Sequence, residues 1–168
     1  MPGNSSQPLV AIAMGSKSDL PVMQAVADVL DDLAIPRELR ILSAHRTPQE
    51  ADAWASGAAE RGVKVLICGA GMAAHLAGSV AGRSLLPVIG VPMGGSLMGI
   101  DALLATVQMP PGVPVATVAV GRAGAKNAAW LAARILALSD TAISERLSAA
   151  VDRMAAAVRA ADQELSES

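Results

Sequence analysis

Short runs of β-branched and aliphatic residues recur at 9–14, 38–42, 63–68, 87–91 and 115–120, and Ala- and Leu-rich stretches separate them. Five strands are expected from this pattern. The intervening segments at 20–33, 48–61, 73–83, 100–107 and 125–138 carry helical periodicity. Strands alternating with helices imply parallel pairing, because each crossover returns the chain to the same edge of the sheet. The pattern predicts an α/β fold, a three-layer sandwich around a five-stranded parallel sheet.

Boundary signals agree with this division. In Thr47-Pro48-Gln49-Glu50, Thr47 suits a helix cap, Pro48 the first helical position and Glu50 the closing member of a capping box. The second helix is therefore expected to begin directly after His45-Arg46. Beyond residue 138, Ser139-Asp140 opens a further segment with Ile143, Leu147, Val151, Met154, Val158 and Leu165 on one face. This amphipathic C-terminal helical arm packs either on its own domain or across a neighbouring subunit, and spacing alone does not choose. At 168 residues the chain reads as a single domain, 1–168, with an α/β core at 8–138 and the arm at 139–168.

Composition narrows the range of partners. A net charge of −2 supplies no basic excess for nucleic acid or an anionic membrane, and Trp54 and Trp130 are the only aromatic residues besides two histidines. No nucleic-acid partner is expected. The uncharged stretch at 102–121 is interrupted by Gln108, Pro110, Pro111, Gly112 and Pro114, so it reads as helix, turn and strand and not as a membrane span. The first residues carry neither the positive charge nor the apolar block of a secretory signal, and the lone Cys68 can form no internal disulfide; both fit a reducing cytoplasm. Between Lys64 and Arg122 only those two residues, Arg83 and Asp101 are charged, which leaves more apolar chain than one small core needs. A homo-oligomer that buries this middle region is expected.

In open parallel sheets ligands bind beyond the carboxyl ends of the strands, where helix N-termini present free N–H groups. Three polar loops should converge there. The first, Gly15-Ser16-Lys17-Ser18-Asp19, has small residues that let amides approach an anion, two hydroxyls, and a carboxylate able to accept from a sugar hydroxyl or to cap a helix. It departs from the Walker A pattern, since Ser16 stands where the second glycine belongs, and Lys17 reads as solvated. In the second loop, Ser43-Ala44-His45-Arg46-Thr47, Arg46 at a helix start offers forked donors to a phosphate. His45 beside it suits general acid–base work near neutral pH, although a structural histidine accounts for this loop equally well.

The third loop runs from Gly69 through Ala70, Gly71, Met72, Ala73 and Ala74 to His75. It matches the dinucleotide-binding glycine pattern, but no acidic residue lies between Glu60 and Asp101 to hold the ribose. The glycines therefore read as close backbone approach to a small ligand, with His75 either lining that pocket or bonded to backbone. Flavin lacks aromatic cover, and two histidines without nearby carboxylates form no metal-ligand set, so neither a cofactor nor a metal is expected. Cys68, Trp54 and Trp130 read as packing residues, and Asp101 as a helix cap or interface residue with no catalytic part.

Met-Gly-Ser-Lys-Ser-Asp at 14–19, Ser-Ala-His-Arg-Thr-Pro at 43–48, Gly-Ala-Gly-x-Ala-Ala-His-Leu at 69–76 and Thr-Val-Gln-Met-Pro at 106–110 are recognisable together. With Asn127-Ala128-Ala129 and Leu131-Ala132-Ala133, they resemble the N5-carboxyaminoimidazole ribonucleotide mutases of purine biosynthesis over residues 9–138. The resemblance implies an isomerase that moves a carboxylate from the exocyclic nitrogen of an imidazole ribonucleotide to ring carbon 4, with carbon dioxide held as an enclosed intermediate. It implies His45 as the proton-transfer residue, and Ser18, Ser43 and Arg46 on the 5′-phosphate. By the same resemblance Asp19 holds the ribose, while Ser16 and the loop Ala70, Gly71, Ala73, His75 and Leu76 surround the base and its carboxylate, and Ala44 belongs with the substrate-binding residues. Family members are similar in being homo-octamers with a flavodoxin-like fold and a C-terminal arm. Departures from the family pattern are Met72 in place of glycine, Ala77 in place of proline, and Gly94-Gly95-Ser96 in place of a longer polar stretch. Arg46 after the histidine favours the mutase over a related class that carboxylates aminoimidazole ribonucleotide directly and tends to carry lysine there.

Overall fold

The computed structural model describes residues 7–167, so the reading of the first residues as lacking a signal lies outside the described residues. Five parallel strands, β1 (Val10–Met14), β2 (Arg37–Ile41), β3 (Val65–Ala70), β4 (Val88–Pro92) and β5 (Ala116–Thr117), stand in the order β2-β1-β3-β4-β5. This is the doubly wound, flavodoxin-like order. The helices are α1 (Leu20–Asp32), α2 (Pro48–Ser56), α3 (Leu76–Ala81), α4 (Ile100–Val107), α5 (Gly121–Ala137) and α6 (Thr141–Ser166).

The sheet is buried on both faces. On one, Val10, Ile12, Met14, Val65, Ile67, Ile89 and Val91 pack with residues of α1, α5 and the start of α6. On the other, Ala11, Ala13, Leu66, Cys68 and Val88 meet α2 and α3. Burial of both faces explains why β1 and β4 read as continuous apolar runs without alternation. Cys68 belongs to this core: burial pushes its thiol up to about 12, so it stays protonated and unreactive at physiological pH. Trp54 is buried as expected, and its Nε1 donates to Glu38 Oε1 at 2.7 Å, an oxygen that also accepts from Arg61 at 2.8 Å.

Several boundaries differ from the sequence pattern for local reasons. β5 pairs over two residues instead of six, because it is an edge strand that follows Pro114 and turns at Gly121, whose φ is +74°. α2 stops at Ser56, with Gly57 at its cap and turns leading to Gly62 at φ +91°. α3 begins only at Leu76, since the chain at Met72 has φ +55° and is not helical. α4 spans the expected residues. Among the described residues, no helix is long and apolar enough to cross a membrane.

The arm divides in two. Asp140 caps α6 by accepting from the Ile143 amide at 3.0 Å, and Arg146 ties it to α1 by donating to the Leu33 carbonyl at 2.7 Å. Ile143 and Ala150 are buried and Leu147 is packed on the core, whereas Val151, Met154, Val158 and Leu165 on the same stripe are exposed. A 26-residue helix is about 39 Å long, more than its own domain can cover.

Two caps also differ from expectation. Thr47 makes no side-chain cap to α2, so the predicted capping box there is absent; its hydroxyl instead accepts from the Ser43 amide at 3.0 Å and donates to the Ser43 carbonyl at 3.2 Å. A capping box forms in the first loop, where Ser16 Oγ accepts from the Ser18 amide at 3.3 Å and Asp19 Oδ2 accepts from the Ser16 amide at 3.1 Å. Burial raises the pKa of Asp19 above the usual carboxylate value, opposed by its bonds from the Ser16 amide and the Ser18 hydroxyl.

A raised folded pKa means that ionised Asp19 costs stability above that pKa, and that the cost vanishes once both folded and unfolded states are protonated. Asp19→Asn keeps an acceptor for Ser16 and removes the charge. It is therefore expected to melt no lower than the parent at pH 7, with any gain disappearing near pH 3 in thermal scans. Gly124 offers a harder constraint, because a Cβ there would collide with the backbone carbonyl oxygen of Ala119. Gly124→Ala is expected to lose about 3 kcal/mol or more in urea unfolding.

Candidate active site

Parallel strands point their carboxyl ends to one rim, and the loops after β1, β2, β3 and β4 meet there around an open cavity of about 520 Å³. That volume is in the range that accepts a nucleotide-sized ligand. The loop after β1 is held against β3 by the Gly15 amide, which donates to the Gly69 carbonyl at 3.1 Å. Its two hydroxyls engage each other, Ser18 Oγ donating to Ser16 Oγ at 3.0 Å.

The loop after β2 is a tight turn closed by Ser43 and Thr47, whose amide donates to the Ser43 carbonyl at 2.8 Å. Ser43 Oγ accepts from the Arg46 amide at 3.1 Å, so the turn is braced from both ends. This bracing uses Thr47 internally and presents His45 and Arg46, both exposed, at the cavity mouth just before α2. The Arg46 guanidinium makes no ion pair among the described residues, so its donors stay available to an anion at a helix start.

The loop after β3 holds Gly71, Met72 and Ala73 in a non-helical path before His75 caps α3. Met72 occupies the left-handed region with its side chain 71% exposed at the cavity edge. A non-glycine residue in this conformation costs about 1–2 kcal/mol. Ala77 stands in the first turn of α3 and is buried against the core. His75 Nδ1 lies 2.6 Å from His45 Nε2, so neither of the two sequence readings of His75 is complete: it lines the cavity and bonds to the other histidine, not to backbone.

The structure brings all the anticipated residues to this one cavity: Ser16, Ser18 and Asp19 from the first loop, Ser43, Ala44, His45 and Arg46 from the second, and Ala70, Gly71, Ala73, His75 and Leu76 from the third. Lys17, read as solvated, is exposed and absent from the lining. Sequence reasoning missed the fourth side of the rim. Met93, Gly94 and Gly95 after β4 line the cavity, and so does Asp101 in the first turn of α4. The same strand-end argument applied to β4 would have found them. Leu97 and Met98 between them have φ of 56° and 54° and are exposed.

Comparison with known proteins agrees with this architecture. A family model described as AIR carboxylase matches residues 9–157. The N5-carboxyaminoimidazole ribonucleotide mutase of Mycobacterium tuberculosis strain H37Rv is 52% identical over 160 residues, covering 95% of this chain and 91% of that protein. The protein of the same name from Pyrococcus horikoshii is 54% identical over 144 residues, covering 85% and 80%. A crystal structure of Treponema denticola PurE superposes with a TM-score of 0.83 at 32% identity, covering 94% of this chain and 98% of that one. The chain belongs to the AIR carboxylase family.

Proposed function

We propose that this protein is an N5-carboxyaminoimidazole ribonucleotide mutase, an isomerase that converts its substrate to 4-carboxy-5-aminoimidazole ribonucleotide in purine biosynthesis. One observation carries the reading: an exposed imidazole, His45, and an unpaired guanidinium, Arg46, share the mouth of one cavity with the hydroxyls of Ser16, Ser18 and Ser43. Relatives of that name at 52% and 54% identity support it.

In this reading Arg46, Ser18 and Ser43 hold the 5′-phosphate beside the start of α2. Asp19 accepts from a ribose hydroxyl through carboxylate capacity left over from its Ser16 bond. Ser16, Ala44 and the loop Ala70, Gly71, Ala73, His75 and Leu76 enclose the base and the migrating carboxylate.

The chemistry asks for little beyond enclosure and one proton carrier. His45 protonates the exocyclic nitrogen as its bond to the carboxyl carbon breaks and carbon dioxide departs. The electron-rich ring carbon 4 then attacks that carbon dioxide, and the neutral imidazole removes the proton from carbon 4. One proton leaves His45 and one returns, with no change of oxidation state, so the cycle as written uses neither ATP nor an electron carrier. Holding carbon dioxide beside carbon 4 replaces a bimolecular encounter with an intramolecular one.

A cytoplasmic homo-oligomer, an octamer by family resemblance, completes the reading. Its support is the apolar surface at Leu97, Met98, Ile100, Leu104 and Val107 and the exposed outer half of α6. The buried, protonated Cys68 suits a reducing compartment.

The test is interconversion of the two carboxylated nucleotides by purified protein, without ATP, metal or added bicarbonate, followed by ultraviolet absorbance. Turnover establishes the mutase. Activity only with aminoimidazole ribonucleotide and carbon dioxide assigns the chain to the direct carboxylase class that the family description names. His45→Asn is expected to abolish turnover while leaving nucleotide affinity within about tenfold, roughly 1.4 kcal/mol, and Arg46→Ala to weaken binding chiefly through the phosphate; calorimetric titration measures both affinities. Light scattering at micromolar concentration is expected to give a mass several times that of one chain, and a monomer would overturn the assembly.

A further inference from the structure

His45 and His75 stand 30 positions apart on different loops, yet His45 Nε2 lies 2.6 Å from His75 Nδ1, with ring centroids 4.8 Å apart and planes at 76°. Two imidazole nitrogens so close must share one proton, because one has to donate while the other accepts. Nε2 is the nitrogen farther from the backbone and hence the one that reaches deepest toward a ligand. It is engaged by His75.

We propose that His75 is a positioning residue for the reactive imidazole. Its Nδ1 holds the acceptor place on His45 Nε2 that the exocyclic nitrogen of the nucleotide takes on binding. This rests on the reading of His45 as the acid–base group. No carboxylate orients either ring: among the described residues each has only the other as a side-chain partner, and Asp19, Arg46 and Asp101, the charged residues that line the same cavity, pair with neither. The usual device for fixing a catalytic imidazole's tautomer, a carboxylate or carbonyl on its second nitrogen, is missing. His75 instead meets the reactive nitrogen itself, offering Nδ1 as acceptor to His45 Nε2.

The protons balance as follows. In the acting form His45 carries a proton on each nitrogen and His75 on Nε2 alone, so the pair bears one positive charge. A second proton on His75 would fill the accepting lone pair and break the contact. When the nucleotide enters, its nitrogen replaces His75 Nδ1 as acceptor, receives the Nε2 proton as its carboxyl bond breaks, and leaves that lone pair free to collect the proton of carbon 4. His75 neither gains nor loses a proton over the cycle. Both rings are exposed, so this charge-assisted bond competes with water and substrate can displace it.

The experiment is solid-state 15N NMR of the full chain with labelled histidine, with and without 4-carboxy-5-aminoimidazole ribonucleotide, joined to the kinetics of His75→Ala and His75→Gln. Expected are a nitrogen–nitrogen coupling from His45 to His75 in the free protein that disappears when nucleotide saturates, and a KM about threefold or more lower in His75→Ala, because the contact that competes with the nucleotide is gone before it arrives. In His75→Gln, whose amide oxygen restores an acceptor, KM is expected to move back toward that of the parent. Absence of the coupling, its persistence with nucleotide bound, or a raised KM with unchanged kcat in His75→Ala overturns the proposal, the last by making His75 an ordinary binding residue. If His45→Asn keeps turnover, the acid–base reading fails whatever the coupling shows. If it loses turnover while the coupling is absent, only the role of His75 fails.

Discussion

Parallel pairing of three fully buried strands is the constraint on which the rest of this protein depends. β1 and β4 are solvent-free along their whole length and β3 is buried except at its last residue, so neither their register nor their direction can change without exposing apolar side chains on two faces at once. Because they run in one direction, their carboxyl ends come out at a single rim. Every side chain with chemistry to offer is delivered there by a loop a few residues long. A glycine-sized approach between β3 and its neighbours keeps the layers tight: a Cβ on Gly69 would meet the side chains of Met23 and Met93.

The rim itself is assembled mainly from backbone and small residues. Ser16 and Asp19 cap one another, Ser43 and Thr47 close a turn on themselves, and the loop after β3 contributes glycine and alanine amides. Such loops are braced by their own polar groups, while the Arg46 guanidinium makes no ion pair among the described residues and stays available to an anion. Few charges are needed when the bound molecule brings its own phosphate and carboxylate, and N–H groups at helix starts favour both. The backbone outliers concentrate here as well. Met72, which lines the cavity, and Leu97 and Met98, in the segment between Gly95 and α4, hold left-handed conformations, and all three expose large apolar side chains.

Away from the rim, apolar surface continues past what the domain covers. The inner half of α6 completes the layer beside α5, while the outer half extends the same stripe into solvent. The helix therefore serves two packing surfaces with one periodic pattern. Stability of the domain and any association of copies are coupled through it, since the Asp140 cap and the Arg146 bond to Leu33 set the angle at which the outer half leaves the core.

All five strands (though not the short length of β5), the full extent of α4, the amphipathic stripe of the arm and the three polar loops were legible in the sequence, because periodicity and loop chemistry are properties of residues close together along the chain. The motifs around Ser16, His45 and Gly71 also pointed to one family. What only the tertiary structure decided were relations between distant residues. The two-residue length of β5 follows from its place at a sheet edge. Thr47 binds Ser43 instead of capping α2 because the turn that presents His45 has first claim on its hydroxyl. Asp101 reaches the cavity because β4 ends on the same rim as β1. The contact of His45 with His75, two imidazoles whose partnership no local spacing encodes, exists because β1, paired between β2 and β3, holds the loops that follow those two strands on one rim.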